Sequence, residues 1–334
     1  MKFGVLQFFS WPDRRLPLAT VYERALQRIE IMDRTGYDAV WITEHHFNDY
    51  SVCPSIPVMG AYAAARTKKL HIATGVTLAA FYHPLRLAEE IGLLDILSGG
   101  RVYWGAGRGF DPKEFRTFGM TPEDSYPRFR EAVDIVMSAW RNQRVSYQGK
   151  YFSFENIEVL PKPLQQPHPP MWVAAYSPPA IEWAAEQGYS IMLDPHSPPA
   201  LIGEKMETWR RLLTQHGYSA KGRVIPTVRL VAIARTDSEA AEVARDGAKW
   251  LLRTYVNPQG ERGDSDAMLR RYVDSMVIHG TPERVVGKIG RLHEEIHLDY
   301  MITAPLSHET FLSFTDHVLP KLATSEPAIV PIVK

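Results

Sequence analysis

Apolar positions over residues 1–120 recur with two alternating periods. Residues 3–8 form a compact apolar run that reads as a strand. Val21, Ala25, Ile29 and Met32 then fall on one face of a helix over 18–35, which Gly36 stops. Residues 37–42 are rich in β-branched and aromatic side chains and predict a second strand. An alanine-rich helix is expected over 54–66, a third strand over 70–78, a helix over 84–97 stopped by Ser98, Gly99 and Gly100, and a fourth strand over 101–105. Strands that alternate with helices imply parallel β-α units.

The middle of the chain differs. After a helix over 122–140, residues 145–159 alternate around Gln148, Gly149 and Lys150, which predicts a small hairpin insertion. A proline-rich connection over 161–170 follows, and the alternation resumes. Strands are expected at 171–175, 190–193, 223–234 and 300–304, with helices at 180–187, 200–216, 238–254, 282–296 and 309–322. About eight strands, each leading to a helix, fit a single (β/α)8 TIM barrel domain over 1–334. Insertions are expected near 145–165 and 255–278. The competing architecture is an open doubly wound sheet. Residues 255–266, rich in Gly, Asn, Asp and charge, read as a mobile loop in the place where barrel lids sit.

Composition narrows the function. Thirty-eight basic and 38 acidic residues in 334 cancel, which argues against an electrostatic nucleic-acid binder. Cys53 is the single cysteine, so neither an intramolecular disulfide nor a multi-thiolate metal site can form. No apolar run approaches the roughly 18 residues of a membrane span. The N-terminus lacks a long apolar signal core, and a reducing, cytoplasmic setting is expected.

In a barrel the chemistry sits at the carboxyl ends of the strands. The second strand ends in Glu44, His45, His46 and Phe47. Adjacent residues on a strand point in opposite directions, so these three polar residues make a poor metal site. A histidine that faces the cavity suits acid-base work or hydrogen bonding, because imidazole titrates near neutral pH. The fourth strand ends in Gly105-Ala106-Gly107-Arg108-Gly109, where glycines allow close backbone approach and Arg108 offers a charge suited to phosphate. This stretch is neither a Walker loop nor a G-x-G-x-x-G fingerprint, since residue 112 is proline. Phe8, Phe9, Trp11, Phe47, Tyr50, Phe81, Tyr82 and Trp104 crowd the predicted strand ends and suggest an apolar cavity for a flat cofactor or substrate.

Several of these motifs together are familiar. Glu44-His45-His46-Phe47, His83-Pro84-Leu85-Arg86, Leu94-Asp95-Ile96-Leu97-Ser98-Gly99-Gly100-Arg101, Gly107-Arg108-Gly109, Pro169-Pro170-Met171-Trp172-Val173-Ala174-Ala175-Tyr176-Ser177 and Gly280-Thr281-Pro282-Glu283 keep the order found in the bacterial luciferase-like flavin monooxygenases. The chain resembles that family from about residue 1 to 320. The resemblance implies a barrel that takes reduced FMN, supplied by a separate NAD(P)H:flavin reductase. Dioxygen then gives a C4a-(hydro)peroxyflavin, which oxygenates a small apolar or aromatic substrate. It also implies a homodimer.

Residue by residue, the resemblance makes His45 the catalytic histidine beside the isoalloxazine. Phe47 and Tyr50, with Phe8 nearby, would line the substrate cavity. Gly75 and Val76 would lie under the flavin ring, at a place where the family often has a non-proline cis peptide. Arg108 and Ser177 would bind the phosphate, with Tyr176 beside them. Two departures stand out: Gly107 replaces a reactive cysteine of bacterial luciferase, and Tyr176 replaces an acidic residue, with Pro178 and Pro179 in place of small polar residues. Three other activities compete: a deazaflavin-dependent hydride-transfer enzyme, a non-catalytic flavin-binding protein and, more remotely, a metal-dependent hydrolase.

Overall fold

A computed structural model describes residues 1–256 and 266–323. In chain order the elements are β1 (Lys2–Gln7), α1 (Leu18–Arg34), β2 (Ala39–Ile42), α2 (Ile56–Arg66), β3 (His71–Thr74), β4 (Thr77–Leu78), α3 (Pro84–Ser98) and β5 (Val102–Gly107). Next come α4 (Pro112–Thr117), α5 (Pro122–Arg141), β6 (Val145–Gln148), β7 (Ser153–Ile157), β8 (Met171–Ala174), α6 (Pro178–Glu186), β9 (Ser190–Met192) and α7 (Pro199–Gln215). The run ends with β10 (Thr227–Ile233), α8 (Asp237–Leu251), α9 (Asp266–Met276), β11 (Val277–Gly280), α10 (Pro282–Ile296), β12 (Tyr300–Pro305), α11 (His308–Ser313) and α12 (Leu319–Leu322). The chain divides into two compact units.

One unit comprises residues 8–33 and 40–174. Its parallel strands centre on β5, which pairs with β3 through Ile72↔Val102, with β4 through Thr77↔Ala106 and with β8 through Gly105↔Trp172. The predicted third strand is thus two pieces, separated by a cis Gly75–Val76 peptide. At the break the Thr74 hydroxyl accepts the Gly105 N–H at 2.7 Å and donates to the Gly105 carbonyl at 2.6 Å, so β5 keeps its partners. Trp41, Tyr103 and Trp172 meet at ring separations of 5.4–6.4 Å, and Trp104 lies edge-on to Trp140 at 4.9 Å. The hairpin expected near 145–159 is present as antiparallel β6 and β7.

Sequence explains most helix ends here. Thr121 caps α5 by accepting the Asp124 N–H, Pro122 occupies the first turn, and Glu123 and Asp124 complement the helix dipole. Gly99 ends α3 in the left-handed region at φ 71°. Arg101 fastens this turn to α2: its guanidinium donates to Ser98 O, Thr67 Oγ1, Leu70 O and Ala64 O.

The other unit comprises residues 1–7, 34–39 and, of the described residues, 175–256 and 266–323. Here β12 lies between β1 and β10, and β10 pairs with β11, all parallel. Phe3 packs edge-on to Phe314, Tyr37 stacks on Phe311, and the Tyr37 hydroxyl bonds the Thr315 hydroxyl at 3.0 Å. The helix expected over 309–322 is divided by a π-turn at 314–318. The loop read over 255–266 falls almost wholly on 257–265, outside the described residues.

Candidate active site

The first of the two units carries His45. β2 is fully buried, and the chain leaves it through Thr43, Glu44 and His45, all less than a tenth exposed. Strand alternation separates the polar side chains. Glu44 and His46 share one side, with Glu44 Oε1 3.2 Å from His46 Nε2. Glu44 also accepts the Leu78 N–H and bonds Tyr82. Burial pushes its carboxyl above the ordinary range, against the pull of the His46 contact.

His45 has different neighbours. Its Nδ1 lies 3.1 Å from the Tyr50 hydroxyl and 3.4 Å from Glu114 Oε1. The imidazole is parallel to the Phe8 ring at 6.4 Å and edge-on to Phe110 at 6.1 Å. Tyr50 is 2% exposed, and its hydroxyl reaches Asp111 Oδ2 at 3.4 Å. Asp111 in turn accepts Asn48 Nδ2 at 2.7 Å and the Lys113 N–H at 2.7 Å. Glu114 is fully buried and accepts the His46 N–H at 2.8 Å. Phe47 adopts φ 60°, unusual for a residue with a side chain, and its carbonyl accepts a hydrogen bond from the Lys113 ammonium. The Phe47 ring is exposed and packs on Phe118.

Asp111 and Glu114 were not among the residues singled out from the sequence. They sit at the N-cap and third position of α4, a helix missed between the fourth strand and the helix over 122–140. The signal was present: Asp111-Pro112-Lys113-Glu114 has a capping aspartate, proline at the first helical position and glutamate three residues on.

The predicted cofactor residues of this unit cluster at the end of β5. A Cβ on Gly107 would lie 2.3 Å from Val76 Cγ2, so Val76 fills the space that a side chain at 107 needs. The Arg108 guanidinium lies over the rings of Tyr126 and Phe115, at 5.3 and 5.8 Å, and donates to Ser125 Oγ at 3.1 Å. No carboxylate among the described residues pairs with it. A guanidinium with hydroxyl and aromatic neighbours but no acidic partner is a donor set suited to phosphate.

Tyr176 and Ser177 belong to the other unit. Ser177 precedes α6, with no side-chain cap bond, and the Lys205 ammonium lies 4.3 Å from the Tyr176 ring centre. Among the described residues no helix is long and apolar enough to cross a membrane.

Comparison with known proteins agrees with this picture. The sequence matches the family described as luciferase-like monooxygenase over residues 1–296. It is 33% identical over 177 residues to the oxygenase component of flavin-dependent trigonelline monooxygenase from Acinetobacter baylyi, covering 52% of this chain and 49% of that protein. It is 26% identical to the alkanal monooxygenase alpha chain of the Kryptophanaron alfredi symbiont, covering 80% and 74%. The solved structure of monooxygenase RslO1 from Streptomyces bottropensis superposes with TM-score 0.85 at 28% identity, over 97% of this chain and all of that one. The (β/α)8 fold class expected from the alternation is therefore the right one. On its sequence, its strand and helix order and this match over nearly its whole length, the chain belongs to the luciferase-like monooxygenase family.

Proposed function

We propose that the protein is the oxygenase component of a two-component flavin monooxygenase, which uses reduced FMN and dioxygen to oxygenate a small apolar or aromatic substrate. Bound reduced FMN supplies the oxygen-activating chemistry: one oxygen atom goes to the substrate and the other leaves as water. The observation that carries the reading is His45, buried at a strand end among Phe8, Tyr50 and Phe110 with a carboxylate at its Nδ1.

The residues present suit the cofactor. Arg108 binds the phosphate, and Gly75, Val76 and Gly107 form the floor on which the flat ring rests. His45 holds and moves a proton beside that ring. Phe8 and Phe47 give the substrate an apolar surface, while Tyr50, largely engaged by His45 and Asp111, acts mainly behind the imidazole. Similarity to the oxygenase component of a flavin-dependent monooxygenase supports supply of reduced flavin by a separate NAD(P)H:flavin reductase. Exposed Val58 and Tyr62 on α2, with Leu93 and Leu97 on α3, provide the apolar face of a homodimer.

The test combines binding with turnover. FMN and deazaflavin affinities are compared by fluorescence titration, and substrate loss is followed with FMN, NADH, an added reductase and air. The reading expects preference for FMN and oxygen-dependent loss that falls about 100-fold or more in His45→Ala. Preference for deazaflavin would favour hydride transfer, and full turnover by His45→Ala would remove the histidine from the chemistry.

A further inference from the structure

Three consecutive residues beyond His45 are each fastened by a side chain from the start of α4. The His46 N–H donates to Glu114 Oε1 at 2.8 Å, the Phe47 carbonyl accepts from the Lys113 ammonium, and Asn48 Nδ2 donates to Asp111 Oδ2 at 2.7 Å. Asn48 Nδ2 also braces the segment through the His46 carbonyl at 3.1 Å. The same Glu114 oxygen lies 3.4 Å from His45 Nδ1, so the segment and the histidine share a support.

At the centre of this segment stands a phenylalanine in an unfavourable backbone conformation. Phe47 has φ 60°, where a side chain crowds the backbone and glycine or asparagine fits at less cost. Its ring is half exposed and adds little to the core. Folding alone therefore favours glycine or asparagine at this position. The ring packs on Phe118 at 5.3 Å. Phe118, the residue that ends α4, packs in turn on Phe81 and His46, both at 4.8 Å. Phe47 and Phe118 thus form a ledge of exposed aromatic surface. Helix α4 fixes both rings: Phe118 as its own C-cap, Phe47 through the carbonyl that Lys113 holds.

We propose that Lys113 and Asn48 are positioning residues that hold the Phe47 ring beside Phe118, and that this pair of rings is the specificity-determining surface for the apolar part of the substrate. The proposal deepens the reading that Phe47 faces the substrate, and rests on it. A flat or extended hydrocarbon group laid on the ledge covers two rings that water otherwise wets. Releasing the segment lets Phe47 relax to negative φ, which turns its Cβ away from Phe118 and removes half of the ledge. Lys113 and Asn48 act through the ring and need no contact with the ligand.

The test is titration of the protein with N-phenyl-1-naphthylamine, a neutral aromatic dye whose emission brightens and moves to the blue in apolar surroundings. Phe47→Gly should bind the dye about tenfold more weakly, with redder emission, and should unfold at no lower guanidinium concentration than wild type. Phe47→Asn, also at ease at positive φ, should do the same. Lys113→Met keeps the alkyl stem and loses the ammonium, and Asn48→Ala loses both hydrogen bonds of its amide. Each should weaken dye binding roughly threefold to tenfold, the scale of one hydrogen bond. Combined with Phe47→Gly, neither should have a further effect.

A wild type that does not take up the dye overturns the proposal, and so does a Phe47→Gly variant that binds it as tightly as wild type. Clearly lower stability of both Phe47 variants makes the ring a folding element and overturns it as well. So does an effect of Lys113→Met and Asn48→Ala that is absent, or that persists undiminished in the Phe47→Gly background. Neither flavin nor dioxygen takes part, so failure here is separate from failure of the proposed activity.

Discussion

Gly107→Ala tests the proposed floor of the site with one methyl group. The new carbon would lie 2.3 Å from Val76 Cγ2, 3.3 Å from Val76 Cβ and 3.8 Å from the Ala174 Cβ. Carbon atoms prefer roughly 3.5–4.0 Å, so the first contact overlaps by more than an ångström. Relief is difficult. Valine has a stiff χ1, and Gly107 is held in register against Leu78. The expected cost is that of overpacking, about 1–3 kcal/mol.

Val76→Ala deletes the offending methyl and itself costs about 1 kcal/mol, since the side chain is half-buried. In the double variant the added carbon's nearest neighbour is the Cβ of residue 76, a tight contact of 3.3 Å. The double-mutant cycle should therefore return a favourable coupling of about 1–2 kcal/mol. Guanidinium unfolding followed by tryptophan fluorescence measures each corner, with unchanged m-values as the check that only stability moved. Gly107→Ala within about 0.5 kcal/mol of wild type would refute the reasoning. So would strict additivity.

Three further outcomes are expected. Arg108→Ala should weaken FMN binding by about 1.5–3 kcal/mol, the scale of a hydrogen bond to a charged group, read by fluorescence titration; an unchanged Kd would show that Arg108 faces elsewhere. Burial lowers the His168 pKa to about 4, so the unfolded chain takes up this proton first as pH falls. Its contribution is complete above about pH 6.5, is lost toward pH 4 and amounts to about 2 kcal/mol between pH 7 and 5. His168→Gln should lose correspondingly less stability over that interval, and an identical pH dependence would contradict the assignment. Leu97→Asp on the exposed face of α3 should turn a dimer into a monomer in light scattering, and a wild-type monomer would remove the proposed interface.

The alternation of strand and helix patterns was legible because each α/β unit writes its own periodicity. Helix α10 was placed at both ends because Thr281 and Pro282 mark its start and the apolar spacing runs to Ile296. Helix α9 and strand β11, which pairs with β10, were not placed within the insertion expected near 255–278. Three other features were missed for different reasons. The interruption of the third strand follows from a backbone turn at Gly75–Val76 that apolar periodicity does not encode. The division of the last helix arises from packing: Phe311, Phe314 and Val318 are all fully buried, so the apolar pattern reads straight through the π-turn.

The short helix α4 is the more instructive miss. Six residues are too few for a periodic signal, yet Asp111, Pro112 and Glu114 spell its start. Overlooking the cap hid two carboxylates near His45: Glu114 at its Nδ1, and Asp111 at the hydroxyl of Tyr50. The sequence singles out His45 by its place at a strand end; Glu114, beside its Nδ1, comes from a segment 69 residues away, a proximity the sequence does not encode.

The central claim is that this chain binds reduced FMN and governs its encounter with dioxygen. Anaerobic protein loaded with reduced FMN, mixed rapidly with air-saturated buffer, puts that claim to the most direct measurement. Oxidised FMN should appear after a delay that free reduced FMN does not show, and the delay should shorten in His45→Ala. Reoxidation at the rate and in the single phase of free flavin, with loading demonstrated, would contradict the account.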